Sequence, residues 1–125
     1  MYSVEITKTS RELTPKERVA IKSGSAKKLD ELTQNGEFII TPVGYAVLMI
    51  TNDKSADKNY EQYVVFDASG EKYVTGSKSF FEAFLNIYSE LNDEDGNQVE
   101  PYSLKVFRKP SRNYAGKEFI TCEVL

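Results

Sequence analysis

The sequence predicts an all-β fold that carries one helix. Apolar and polar residues alternate over several short runs separated by turn formers, as strands require. One stretch, Ser79–Leu91, instead repeats Phe80, Phe84, Ile87 and Leu91 at helical spacing. The run Val43–Thr51 is apolar on both faces, which marks a central strand able to curve into a barrel.

From the N-terminus, Val4 and Ile6 alternate with Ser3, Glu5 and Thr7, so a first strand is expected over Met1–Thr9. Thr14-Pro15-Lys16-Glu17 has the form of a helix start, with Thr14 as N-cap, Pro15 at the first helical position and Glu17 closing a capping box. The segment between this start and Gly24 is too short to sustain a helix, and Val19 and Ile21 alternate, so a strand over Arg18–Lys22 is expected instead. Ser23-Gly24-Ser25 leads as a loop into Lys27 and Lys28, two candidate phosphate contacts.

Asn35-Gly36 is a turn. Pro42 and Gly44 interrupt the apolar run after it, giving a short strand Phe38–Thr41, a bend, and a long strand Val43–Thr51. A polar loop precedes the strand at Tyr60–Asp67, and Asp67-Ala68-Ser69-Gly70 turns it into a partner, Glu71–Thr75. Tyr60, Tyr63 and Tyr73 on these strands are candidates for base stacking, although a strand tyrosine also serves as half-buried packing. For the helix, Ser79 is the expected N-cap with Glu82 at N3.

Tyr102–Leu125 reads as a β-hairpin: Tyr102, Leu104, Val106 and Ile120, Cys122, Val124 flank a segment rich in turn formers. Its opposite face carries Lys105, Phe107 and Phe119, while Arg108, Lys109, Arg112, Tyr114 and Lys117 stand at the strand ends and in the loop. Cations and rings so interleaved can hold a phosphate backbone and stack bases. A solvated edge kept soluble by lysines is the plainer alternative.

Apart from an extra N-terminal strand, the element order is β-β-β-α-β-β. That is the order of an OB-fold, a five-stranded Greek-key barrel with its helix between strands 3 and 4. The expected domain organisation is one domain over residues 1–125. In that fold the loop joining strands four and five and the loop after strand one flank the ligand face, and the two basic segments fall in those loops.

Composition narrows the chemistry. The chain has no histidine and one cysteine, Cys122, which removes Ser-His-Asp and Cys-His nucleophiles, histidine metal sites and internal disulfides. Cys122 falls on the apolar side of a strand, where a small core residue is expected. Acids at Asp93 and Asp95 suggest calcium, but the twelfth position from either is Leu104 or Val106, so the EF-hand pattern fails. No metal, cofactor or enzymatic activity is expected. Net charge is −3, distributed unevenly: residues 1–28 carry seven bases against three acids, 53–100 four against eleven, and 101–125 five against two. Two basic ends bracketing an acidic middle allow local binding of an anionic polymer. No apolar run is long enough to cross a bilayer and no signal-peptide core is present, so a soluble, cytoplasmic protein without a membrane partner is expected.

The segments ITPVGYAVLMITND, YVVFDASGEKYVTGSKSFFEAFLNIYSEL and KPSRNYAGKEFITC together resemble the single-stranded DNA-binding proteins of Gram-positive phages and mobile elements. They are similar, more loosely, to the corresponding protein of phages that copy their genomes from a protein primer. The likeness covers about residues 13–125. It implies an OB-fold that coats single strands during replication or recombination in the host cytoplasm, with strand contact at Lys109, Arg112, Asn113, Tyr114 and Lys117. Partner recruitment through a long tail ending in acids and an aromatic, as the bacterial housekeeping versions carry, is not expected. Single-stranded DNA is thus the expected partner, bound with tolerance of sequence, and replication proteins are secondary ones. The first rival is a protein-interaction module docking a partner through the acidic loop Asn92–Glu100. The second is a carboxylate-dependent nuclease, for which no acid pair supplies a motif.

Overall fold

The computed structural model describes residues 2–54, 59–111 and 116–125. In order these form β1 (Tyr2–Thr9), α1 (Pro15–Lys22), β2 (Lys27–Lys28), α2 (Leu29–Leu32), β3 (Phe38–Ile40), β4 (Pro42–Asn52), β5 (Asn59–Asp67), β6 (Lys72–Thr75), α3 (Lys78–Leu91), β7 (Leu104–Pro110) and β8 (Glu118–Val124). One sheet has the order β1-β4-β5-β6-β2, antiparallel except for β2 against β6; the other, β3-β7-β8, is antiparallel throughout.

Thr41 joins the sheets, because β3 and β4 are one chain bent at that residue. Pro42 has no N–H to give to a ladder, and the pairing with β5 shifts register between Pro42 and Gly44. The bend is fastened from outside: the Thr41 N–H donates to Asp67 Oδ1 at 2.6 Å, its carbonyl accepts from Ala68 N at 2.9 Å, and its hydroxyl meets that of Ser103 at 2.8 Å.

The main core lies between the two sheets and α3. Phe80 and Phe84 are fully buried there, with Tyr45, Val47, Val65, Leu104, Val106, Ile120 and Cys122 around them. The other face of the five-stranded sheet is apolar as well: Ala46, Leu48, Ile50, Val64 and Phe66 pack under Leu13 and Ile21 from the α1 region. The two-faced apolar pattern of Val43–Thr51 therefore follows from a strand buried on both sides.

Three expectations are corrected. No barrel closes among the described residues, because the edges that would meet are already engaged: β2 pairs with β6, and the Ser77 and Ser79 hydroxyls at the start of α3 donate to the Ile120 carbonyl of β8 at 3.4 and 3.3 Å. Arg18–Lys22 is not a strand but belongs to helix α1. The capping box at Thr14 forms in full, with Glu17 N to Thr14 Oγ1 at 3.2 Å and Thr14 N to Glu17 Oε1 at 3.0 Å. Alternation misled there, since Ile21 is buried while Val19 is 68% exposed. Ser77, not Ser79, caps α3, accepting from Phe80 N at 3.2 Å.

Arg11 grips the Glu17 carboxylate with two hydrogen bonds of 3.1 and 2.6 Å. That contact, with the Thr14 N–H second to it, pulls the Glu17 pKa down to about 2. With the folded pKa below the unfolded value, the stabilisation is present above about pH 4.5 and is lost as pH falls towards 2. The pair is partly exposed, so solvent screening holds the effect to about 1 kcal/mol. Urea unfolding from pH 6 to 3 should show this loss in the wild type and a flatter profile in Glu17→Gln.

Candidate nucleic-acid interface

β7 and β8 form a two-stranded ribbon in which alternation separates two sets of side chains. Leu104, Val106, Ile120 and Cys122 point into the core and are at most 7% exposed. The register pairs Lys105 with Glu123, Phe107 with Thr121 and Lys109 with Phe119, so these six share the outward face. Phe107 and Phe119 are half-buried, which leaves ring surface in contact with water.

The cations on this face gather around one ring. Lys105 Nζ lies 5.2 Å and Lys109 Nζ 5.7 Å from the Phe107 centroid, within cation–π range. Lys105 is also held by carboxylates, at 3.0 Å from Glu123 and 3.7 Å from Glu37; its hydrogen bond to Glu123 raises its pKa. Its charge is therefore largely balanced. Lys109 and Lys117 are exposed near the far end of the ribbon. Arg112, Asn113 and Tyr114 lie outside the described residues.

Arg108 belongs elsewhere. Sharing the parity of Leu104 and Val106, it turns under the ribbon and donates Nε to Thr33 Oγ1 at 3.3 Å and Nη2 to the Asp30 carbonyl at 2.6 Å. These two bonds make it a strut between β7 and α2, off the outward face.

The tyrosines divide likewise. Tyr63 is 5% exposed and stacked on Phe81 at 4.2 Å with 9° between the planes; Tyr73 is 6% exposed and meets Phe38 edge-on at 5.2 Å. Burial raises both hydroxyl pKa values. Neither offers a face to a base, so both are core residues rather than stacking platforms. Tyr60 is half-buried against the second cluster, under the α1 side of the sheet. Lys27 and Lys28 stand not in a loop but in β2, at the edge of the other sheet, where Lys27 pairs with Glu71 at 3.4 Å.

Sequence reasoning missed Ile39, which is 47% exposed and opposite Lys105 on β3, extending the outward face by one strand. The signal was its phase: Ile39 alternates with Phe38 and Ile40, the residues packed on or in the core. The acidic loop after α3 is tied down, with Asp93 Oδ1 accepting from Asp95 N at 2.9 Å and Asn97 N at 3.0 Å. Its charges face solvent as a fixed set. Burial pushes the Cys122 thiol up to about 12, which keeps it protonated and unreactive at neutral pH.

Among the described residues no group of three or more histidine, cysteine or acidic side chains could hold a metal ion, and no helix is long and apolar enough to cross a membrane. Compared with known proteins, the chain matches no family model, no curated protein and no solved structure.

Proposed function

We propose that this protein binds single-stranded DNA with little sequence preference, through the outward face of the β7–β8 ribbon, and performs no chemistry on it. The observation that carries the reading is the pairing of two partly buried rings with cations on one strand pair: Phe107 between Lys105 and Lys109, and Phe119 directly across from Lys109. Rings stack any base because every base has a π-face, and lysines track the phosphates.

Topology supports the choice of face. The order β6-β5-β4, bent at Thr41 into β3-β7-β8, fits an OB-fold left open between its third and fifth strands, with α3 in the gap. OB-folds commonly bind oligonucleotides on the outer face of strands two and three and through the loops beside it. Here Leu13 and Ile21 cover the outer face over β4 and β5, while the ribbon brings cations and rings together, which favours the ribbon for the strand. The reading rests on these residues and their geometry alone, since no known protein is matched.

Lysine substitutions test it. Lys109→Ala should reduce the salt dependence of oligothymidine binding by about one unit of slope. Lys105→Ala should change it less, because Glu123 and Glu37 already balance that charge. A titration in which both variants keep the wild-type slope would place the phosphates elsewhere.

A further inference from the structure

β3 pairs with β7 only from Leu104 to Val106, so from Phe107 onward that edge of β7 has no strand beside it among the described residues. The chain between α2 and β3 diverges there and leaves a groove of about 270 Å³, lined by Thr33, Gln34, Glu37, Phe107, Arg108 and Glu118. Phe107 thus borders both the groove and the outward face. The groove is small beside drug-sized sites of about 300–1,000 Å³, yet it suits a single planar ring.

Its chemistry is a charged pair around a ring. The two bonds to Thr33 and Asp30 fix the plane of the Arg108 guanidinium. Nη1 has no partner among the described residues. Glu118, exposed at the start of β8, supplies a carboxylate, and Gln34 an amide. Among the DNA bases only guanine presents two acceptors, O6 and N7, suited to an arginine, together with two donors, N1–H and the N2 amine, suited to a carboxylate. Adenine and cytosine bring an amine but lack that acceptor pair, and thymine lacks the donor pair.

We infer that this groove receives one guanine base from the bound strand, with Arg108 on the O6/N7 edge, Glu118 on the N1/N2 edge and Phe107 against the ring. The inference rests on the proposed single-strand binding and adds one selective position to a footprint otherwise tolerant of sequence.

Two measurements on the full chain test it. Labelled oligothymidines carrying one central dG, dA or dC in place of dT are titrated against wild type and Glu118→Gln. The dG strand should bind about tenfold tighter than the others, and Glu118→Gln should remove that margin while leaving all-dT binding unchanged. Separately, guanosine 5′-monophosphate and adenosine 5′-monophosphate are added while amide chemical shifts of Gln34, Phe107 and Glu118 are monitored; only the guanine nucleotide should move them. Equal binding of all strands, with no shift from the guanine nucleotide, overturns the pocket and leaves the strand-binding reading standing. Strands that fail to bind while the guanine nucleotide still shifts those amides overturn the strand reading and keep the pocket. Failure of both overturns both.

Discussion

Replacing both outward rings, Phe107→Ala with Phe119→Ala, should weaken binding of oligothymidine by about 2–6 kcal/mol, the sum of two base stacks at roughly 1–3 kcal/mol each. That is a loss of more than tenfold even at the lower bound. The fold should survive, because neither ring belongs to the buried core and the buried contacts of the ribbon come from Leu104, Val106, Ile120 and Cys122. The pair Phe107→Tyr with Phe119→Tyr keeps the π-faces and should keep the affinity. Fluorescence anisotropy of a labelled strand, with far-ultraviolet circular dichroism as the check on folding, separates lost stacking from lost structure. Because stacking does not depend on ionic strength as phosphate contacts do, the loss should persist at high salt.

The largest effect on stability from a single methyl group is expected at Gly96. Its φ of +87° is a conformation that side chains resist, and an added Cβ would lie 2.2 Å from the carbonyl oxygen of Val43. The loop cannot back away easily, because the Asn92 and Gln98 side chains both donate to the Pro42 carbonyl at 3.2 Å. Gly96→Ala must therefore strain the loop or push on β4 just past the Thr41 bend. A destabilisation on the order of 3 kcal/mol is expected in urea unfolding. Gly70→Ala is the control: its φ is +94° but nothing lies within 4 Å of the added carbon, so only the backbone cost of about 1 kcal/mol remains. Equal losses at the two sites would show that the close approach to Val43 carries no energy.

Local signals were legible where one period dominates. The helical spacing of Phe80, Phe84 and Leu91 found α3, and strict alternation in Tyr102–Val124 placed Phe107 and Phe119 on the outward face together. The sequence groups Arg108 with the strand-end cations although it shares the parity of Leu104 and Val106, and its tie to α2 depends on a four-residue helix that has too little sequence to announce itself. The tyrosines were harder. Both faces of β4 and β5 are buried, and no local pattern tells a covered face from an open one. Short elements settled by competition were also hidden: β2 is two residues long, and its parallel pairing with β6 occupies an edge that barrel closure would need. At α1 the capping box was the better guide than alternation, because it fixes backbone donors directly whereas two apolar residues set no period.

The central claim is that the ribbon holds a single strand by base stacking and phosphate contacts that tolerate any sequence outside the guanine groove. Intrinsic tyrosine fluorescence would report it poorly, because Tyr63 and Tyr73 are packed in the core, away from the outward face. The direct measurement is anisotropy of labelled oligothymidine, and of a duplex of the same length, titrated with the wild-type protein over a range of salt concentrations. Tight binding of the single strand, weak binding of the duplex, and an affinity that falls linearly in logarithm with the logarithm of salt concentration are the predicted results. A single strand left unbound at low salt, or a duplex held as tightly, would contradict the account.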